Sequence, residues 1–220
     1  MSETIKTYLL DDPDVLIPMD RKAFYKEQIA EYKENGRPSR AVEIVQAFLF
    51  NEDGELFVQK RSMKKSHNPG LLDKSIGGHI PMGDSSDHTM MVETIQEMQI
   101  PSFVIRSGED FIRTYDLLKT YLSTVAIIRH IDTSIIEQDK IIDGEPATIA
   151  AKAHVYVGVY GGRAKTVDKE AKGILQYTLE DLDREMEAYP GMFTQDLKDL
   201  VKRHRVSLEA FVKRFSNKEE

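Results

Sequence analysis

Gly77-Gly78-His79-Ile80-Pro81-Met82-Gly83-Asp84 runs through Ser85-Ser86 into Asp87-His88-Thr89-Met90-Met91-Val92-Glu93-Thr94-Ile95-Gln96-Glu97-Met98, then Gln99-Ile100-Pro101. The first part is a glycine-punctuated loop, and the second is predicted as a helix from about Asp87 to Met98, closed by Pro101. At 100° per residue, Met91, Ile95 and Met98 fall on one side, while Glu93, Gln96 and Glu97 cluster with Thr89 on the other. One face is expected to pack and the other to present carboxylates. Glu93 and Glu97 form a like-charge i,i+4 pair, which costs an isolated helix a few tenths of a kcal/mol. No Lys or Arg lies between Ser75 and Ile105 to offset them, and Asp84 and Asp87 add further negative charge. Hard divalent cations favour such oxygen-rich surroundings and share them with substrate phosphates. A solvated acidic helix face is the alternative.

Working outward, Ala41 to Phe50 alternates as a strand, Asn51-Glu52-Asp53-Gly54 reads as a turn, and Leu56 and Val58 carry the return, so 41–61 is expected to be a hairpin. A basic loop with Lys60, Arg61, Lys64 and Lys65 follows, ending at Asn68-Pro69-Gly70. Upstream, Asp20 caps a helix that Gly36 stops, with Tyr25, Ile29 and Tyr32 on one face. Downstream, Ala153 to Val159 alternates as a strand, and Thr178 caps a helix to about Ala188. A last helix begins after Thr194, and its apolar seam of Leu197, Val201, His204, Leu208, Phe211 and Phe215 steps by four and three. That seam fits intramolecular packing or a homodimer contact. Residues 102–150 are least legible: a helix over 111–122, a strand over 125–131 and a mostly polar connection over 136–149 are expected. Composition never shifts enough to mark a boundary, so the expectation is one domain with helical additions at both ends.

Counts of 37 acidic against 30 basic residues give a net charge of −7, which argues against nucleic-acid binding through bulk charge. The short run Lys202-Arg203-His204-Arg205 is too small a cluster to reverse that. The absence of cysteine removes disulfides, thiolate metal sites and cysteine nucleophiles, and it agrees with an expected cytoplasmic location. No apolar run approaches the about 20 residues that span a bilayer, and Met1 to Asp20 does not read as a signal peptide.

Spacing gives the central stretch a further meaning. From Gly78, five residues lead to Asp84, seven more to Val92, then come Glu93 and Gln96-Glu97. This resembles the Nudix signature in register: Gly, five residues, Glu, seven residues, Arg-Glu, an aliphatic, any residue, Glu-Glu, any residue, Gly and an aliphatic. Gln59-Lys60-Arg61-Ser62, Asn68-Pro69-Gly70-Leu71-Leu72-Asp73, the strand 153–159, Asp168-Lys169-Glu170 and Phe193-Thr194 resemble the flanks. The resemblance covers about residues 40–200 and is nearest to the branch holding isopentenyl-diphosphate isomerases and their hydrolase relatives. It implies an α/β fold, a Nudix-type α/β/α sandwich with a mixed sheet plus N- and C-terminal helices. The expected organisation is a single domain over 1–220, with a core of about 40–190, an extension over 1–39 and a C-terminal helix over 194–216.

The resemblance implies hydrolysis of a diphosphate linkage in a nucleoside diphosphate derivative or related organic diphosphate, with Mg²⁺ or Mn²⁺ as cofactor. It assigns Glu93 and Glu97 as catalytic, Glu93, Gln96 and Glu97 as metal-binding, and Arg61, Lys64, Lys65, Gly78 and His79 as substrate-binding. Glu170 matches a late acid that in some members completes the metal set. The expected partner is a small-molecule diphosphate, not nucleic acid or membrane. The departures are Asp84 for a Glu, Val92 for the Arg that orients the carboxylate helix, Gln96 for a Glu and Gln99 for the closing Gly. They raise an alternative, a weak or inactive domain that binds a nucleotide or partner. Isomerase chemistry needs a cysteine, which the chain lacks, and two histidines whose positions hold Ser39 and Glu43.

Overall fold

The computed structural model describes residues 3–65, 67–142, 144–165 and 171–216. Its strands are β1 (Thr4–Leu9), β2 (Leu16–Asp20), β3 (Arg40–Phe50), β4 (Leu56–Arg61), β5 (Leu72–Asp73), β6 (Ile76–His79), β7 (Ser102–Ile105), β8 (Ala126–Ile142), β9 (Glu145–Val159) and β10 (Ala171–Tyr177). Its helices are α1 (Arg21–Asn35), α2 (Ser86–Met98), α3 (Gly108–Leu118), α4 (Leu179–Ala188) and α5 (Gln195–Phe215). The strands join in one mixed sheet with the order β10-β4-β3-β9-β8-β7, in which β3–β9 and β7–β8 are parallel.

β3 is the centre. Every residue from Ala41 to Phe50 is buried, because helices cover both faces of the sheet. β9 follows one edge of it for ten residues, and the other edge is divided among β1, β6 and β4. On one face, Phe48, Phe50, Val155 and Val157 pack against Leu197, Leu208 and Phe211 of α5 and Phe111 of α3, while Val42, Ile44 and Ala153 meet Phe24 and Tyr25 of α1. On the other face, Val45, Ala47 and Leu49 pack against Met90 and Met98 of α2.

Caps fall where the sequence puts them: Asp20 on α1, Thr178 on α4 and Thr194 on α5, with Gly36 ending α1 in the left-handed region at φ 70°. The α5 seam is buried throughout, inside this chain.

Several expectations need correction. The 41–61 hairpin pairs only at its closed end, Phe50 with Leu56, because β6 takes the β3 edge from Ile44 to Ala47. The N-terminal addition is not only helical, since β1 and β2 form a hairpin that joins the sheet through β3. The polar connection expected over 136–149 is instead the outer half of a long antiparallel hairpin, β8–β9, paired from Ile127–Val159 to Ile142–Glu145. A one-residue bulge lies between His130 and Asp132. Ile127 before it and the bulged Ile131 itself face α5 and α3; beyond it, Ser134, Ile136, Gln138 and Ile142 face the same helical layer.

Candidate functional site

The first turn of α2 is pinned at Asp87, which accepts two bonds from Arg106 (2.7 and 3.0 Å) and one from the Tyr156 hydroxyl (2.9 Å). An arginine from β7's end thus holds the helix where the chain has Val92 within it. The packed stripe is Met90, Thr94 and Met98 at i, i+4 and i+8, joined by Ser86 and Thr89. The expected pairing of Met91 and Ile95 with the core is therefore wrong by one position: Met91 is only partly buried and Ile95 is 53% exposed. That small rotation leaves Glu93, Gln96 and Glu97 on the open side.

β6 explains how those carboxylates approach the sheet edge. A Cβ on Gly78 would lie 2.0 Å from Glu93 Oε1, so only glycine lets this side chain settle there. Glu97 Oε2 accepts the Gly77 N–H at 3.2 Å and the Gln59 amide at 3.1 Å, and Gln59 also donates to the Ser75 carbonyl.

A cavity of about 800 Å³ opens beside them, within the usual size of small-molecule sites. Glu93, Gln96, Glu97, Arg61, Lys65, Gly78 and His79 all line it. Lys64 does not; its side chain is exposed on the loop. Glu170 lies outside the described residues.

Behind Arg61 lies a network that the sequence did not reveal. Arg61 donates to Asp73 (2.8 Å) and to the His67 carbonyl (3.1 Å). Asp73 also accepts from Thr194 Oγ1 (2.9 Å) and the Lys74 N–H (2.9 Å). Lys74 pairs with Asp196, which further accepts from Gln46 (2.9 Å to Oδ2) and from Gln138. Burial alone would raise Asp73, but Lys74 and Arg61 outweigh it and hold the carboxyl down at about 2. Burial likewise opposes the Lys74 charge, and Asp196 and Asp73 overcome it and push its pKa up.

His79 sits on another wall, its Nε2 2.8 Å from the Tyr25 hydroxyl, with Tyr25 in turn against the His67 ring at 5.1 Å. Burial first, then the cations Arg21, Lys140, His67 and Lys65, push its pKa well below the ordinary histidine range. His79 is thus a neutral imidazole in cationic surroundings. His154, by contrast, bonds Glu43 at 2.8 Å and does not line the cavity.

Among the described residues, no three His, Asp or Glu side chains converge on a point that could hold a metal ion. The donors on the open side of α2 are two carboxylates and one amide, all hard oxygens. Such a set suits Mg²⁺ shared with substrate phosphates, which needs only one or two protein carboxylates, and not a cage made by protein alone.

Comparison with known proteins places this geometry in context. No family model matches the chain. A Nudix hydrolase of Deinococcus radiodurans is 36% identical over 59 residues, 27% of this chain and 34% of the relative. An isopentenyl-diphosphate Delta-isomerase of Serratia proteamaculans is 24% identical over 197 residues, 87% of this chain and 92% of the relative. The chain spans 34% to 50% of the length of the first curated relatives it matches. In structure, the Deinococcus radiodurans protein DR0079 superposes with a TM-score of 0.61 at 19% identity, covering 91% of this chain and 98% of that one. The MutT protein of Methanosarcina mazei gives 0.50 at 16% identity, covering 76% and 94%. At these identities the structural likeness is one of fold. No described helix is long and apolar enough to cross a membrane.

Proposed function

We propose that this chain, which has the Nudix fold and is related in sequence to Nudix hydrolases and isopentenyl-diphosphate isomerases, hydrolyses the diphosphate linkage of a nucleoside diphosphate derivative or related organic diphosphate. One observation carries this reading: the two α2 carboxylates and the cations of the β4 loop, far apart in sequence, line the same cavity. Its volume of about 800 Å³ favours a nucleoside-sized substrate over a five-carbon diphosphate.

In this reading Arg61 and Lys65 bind phosphate oxygens, and the Asp73 bond fixes the Arg61 guanidinium for that task. Glu93 takes a proton from the attacking water, and Glu97 is oriented by Gly77 and Gln59. Glu93 and Glu97, with the Gln96 amide oxygen, are the residues to hold Mg²⁺ or Mn²⁺, which neutralises charge on the phosphates. The neutral His79 donates or accepts a hydrogen bond without adding charge.

Among the described residues, α2 offers two carboxylates on its open side and no third acid converges with them, which favours a second reading, a slow or inactive domain that retains ligand binding. Isomerase activity is disfavoured by the absence of cysteine. The test is to offer the purified protein a panel of nucleoside diphosphate derivatives and prenyl diphosphates, with and without Mg²⁺. Metal-dependent release of monophosphate or phosphate that Glu97→Gln abolishes supports the hydrolase. Heat stabilisation by a compound without turnover selects the binding domain, and Gln96→Glu is then expected to raise the rate.

A further inference from the structure

The outer half of β8 brings a residue into the cavity that the Nudix resemblance does not assign. Beyond the bulge, Ile136, Gln138, Lys140 and Ile142 occupy alternate positions on one face of the strand. Ile136 and Ile142 pack with Phe24 and Tyr25, Gln138 bonds Asp196, and Lys140 lines the cavity.

The charges around Lys140 do not balance. Its charged neighbours are Asp196, Lys74, Asp73 and Arg61. Asp196 already accepts from Lys74, Gln46 and Gln138, and Asp73 accepts from Arg61, Thr194 and the Lys74 backbone. Three cations therefore face two anions, and both anions are occupied. Among the described residues, Lys140 has no hydrogen bond and no ion pair. Burial, and then the nearby Lys74 and Arg61 against the pull of Asp196 and Asp73, leave its pKa below the ordinary lysine range. A half-buried ammonium without a partner is costly, and an anionic ligand in the cavity removes that cost.

We propose that Lys140 is a substrate-binding residue that receives a phosphate group of the diphosphate ligand from the β8–β9 hairpin side of the cavity. This rests on the diphosphate reading above. It makes the hairpin a working part of the site rather than a peripheral addition. The competing role is structural, a lysine whose stem merely covers apolar surface.

Calorimetric titration of the full chain with inorganic diphosphate, without and with Mg²⁺, separates these. Lys140→Gln is expected to weaken binding about tenfold or more, Lys140→Arg to stay within about threefold, and the exposed control Lys202→Gln to match wild type. A second readout needs no variant: acylation of Lys140 by an N-hydroxysuccinimide ester, followed by mass spectrometry, is expected to slow at least about fivefold with diphosphate while Lys202 is unchanged. A wild-type protein that binds diphosphate, with Lys140→Gln binding equally or Lys140 unprotected, overturns this inference alone. A wild-type protein that binds no diphosphate under either condition overturns the functional reading beneath it as well.

Discussion

Replacing Gly78 by alanine would put a methyl group 2.0 Å from Glu93 Oε1, and the far end of a flexible side chain would yield before the strand does. Gly78→Ala is therefore expected to change stability by about 1 kcal/mol or less while lowering turnover about a hundredfold, read by paired melting and rate measurements. An unchanged rate would mean that the position of Glu93 is irrelevant. His79 provides a second test. Burial and then the cations around it depress its pKa below 6.5, so protonation favours the unfolded chain. Its contribution to stability is present above the ordinary histidine range and lost as pH falls below it. Wild type is expected to lose melting temperature between about pH 7 and 5 more steeply than His79→Gln, and parallel curves would refute this.

At the scale of elements, Gln99 ends α2 in the left-handed region at φ 57°, where the resemblance expects glycine. Gln99→Gly is expected to raise stability by about 0.5–1 kcal/mol in denaturant titration, since the side chain carries a steric cost there. Leu208, fully buried in the α5 seam, is expected to cost about 2–5 kcal/mol on replacement by alanine, with no dependence on protein concentration if the seam is intramolecular. Helices were the legible elements because caps and period were both present: Asp20 with Gly36, Thr178, and Thr194 with the seam. The outer half of β8 was not, because Ile135 and Ile141 alternate with Ile136 and Ile142 and leave no apolar contrast between faces. The Asp-Gly pair at 143–144, between the closing partners Ile142 and Glu145, was the signal that could have located the hairpin. The site was half legible for a similar reason. Glu93, Glu97 and Arg61 sit in a recognisable spacing, whereas Lys74, Lys140 and Asp196 converge only through tertiary contacts.

Across the whole molecule, the net charge of −7 does not carry into the cavity, whose lining sets five lysines and arginines against five acids. Asp73 ties this arrangement together, linking β4 through Arg61 to the N-cap of α5 through Thr194. Lys74 and Arg61 hold its carboxyl below the usual range against burial, so its stabilisation is present above about pH 4 and lost as pH falls toward about 2. Asp73→Asn is expected to lower the melting temperature at neutral pH and to flatten the acid limb of the stability profile. An acid limb identical to wild type would sink that assignment. The bulge at Ile131 has a consequence for how such a cavity can change over generations. That bulge absorbs one extra residue and pairing resumes at Asp132–Val155, so beyond it the faces are set by strand length: one residue added to each strand before Gln138 would turn Lys140 and Gln138 outward and carry Ile141 and Asp139 into the cavity. Lengthening both strands beyond it by two residues keeps every face and moves the tip by about 7 Å. Hairpin length is thus a ruler graduated in pairs of residues, with even steps resizing the ligand space and odd steps erasing it.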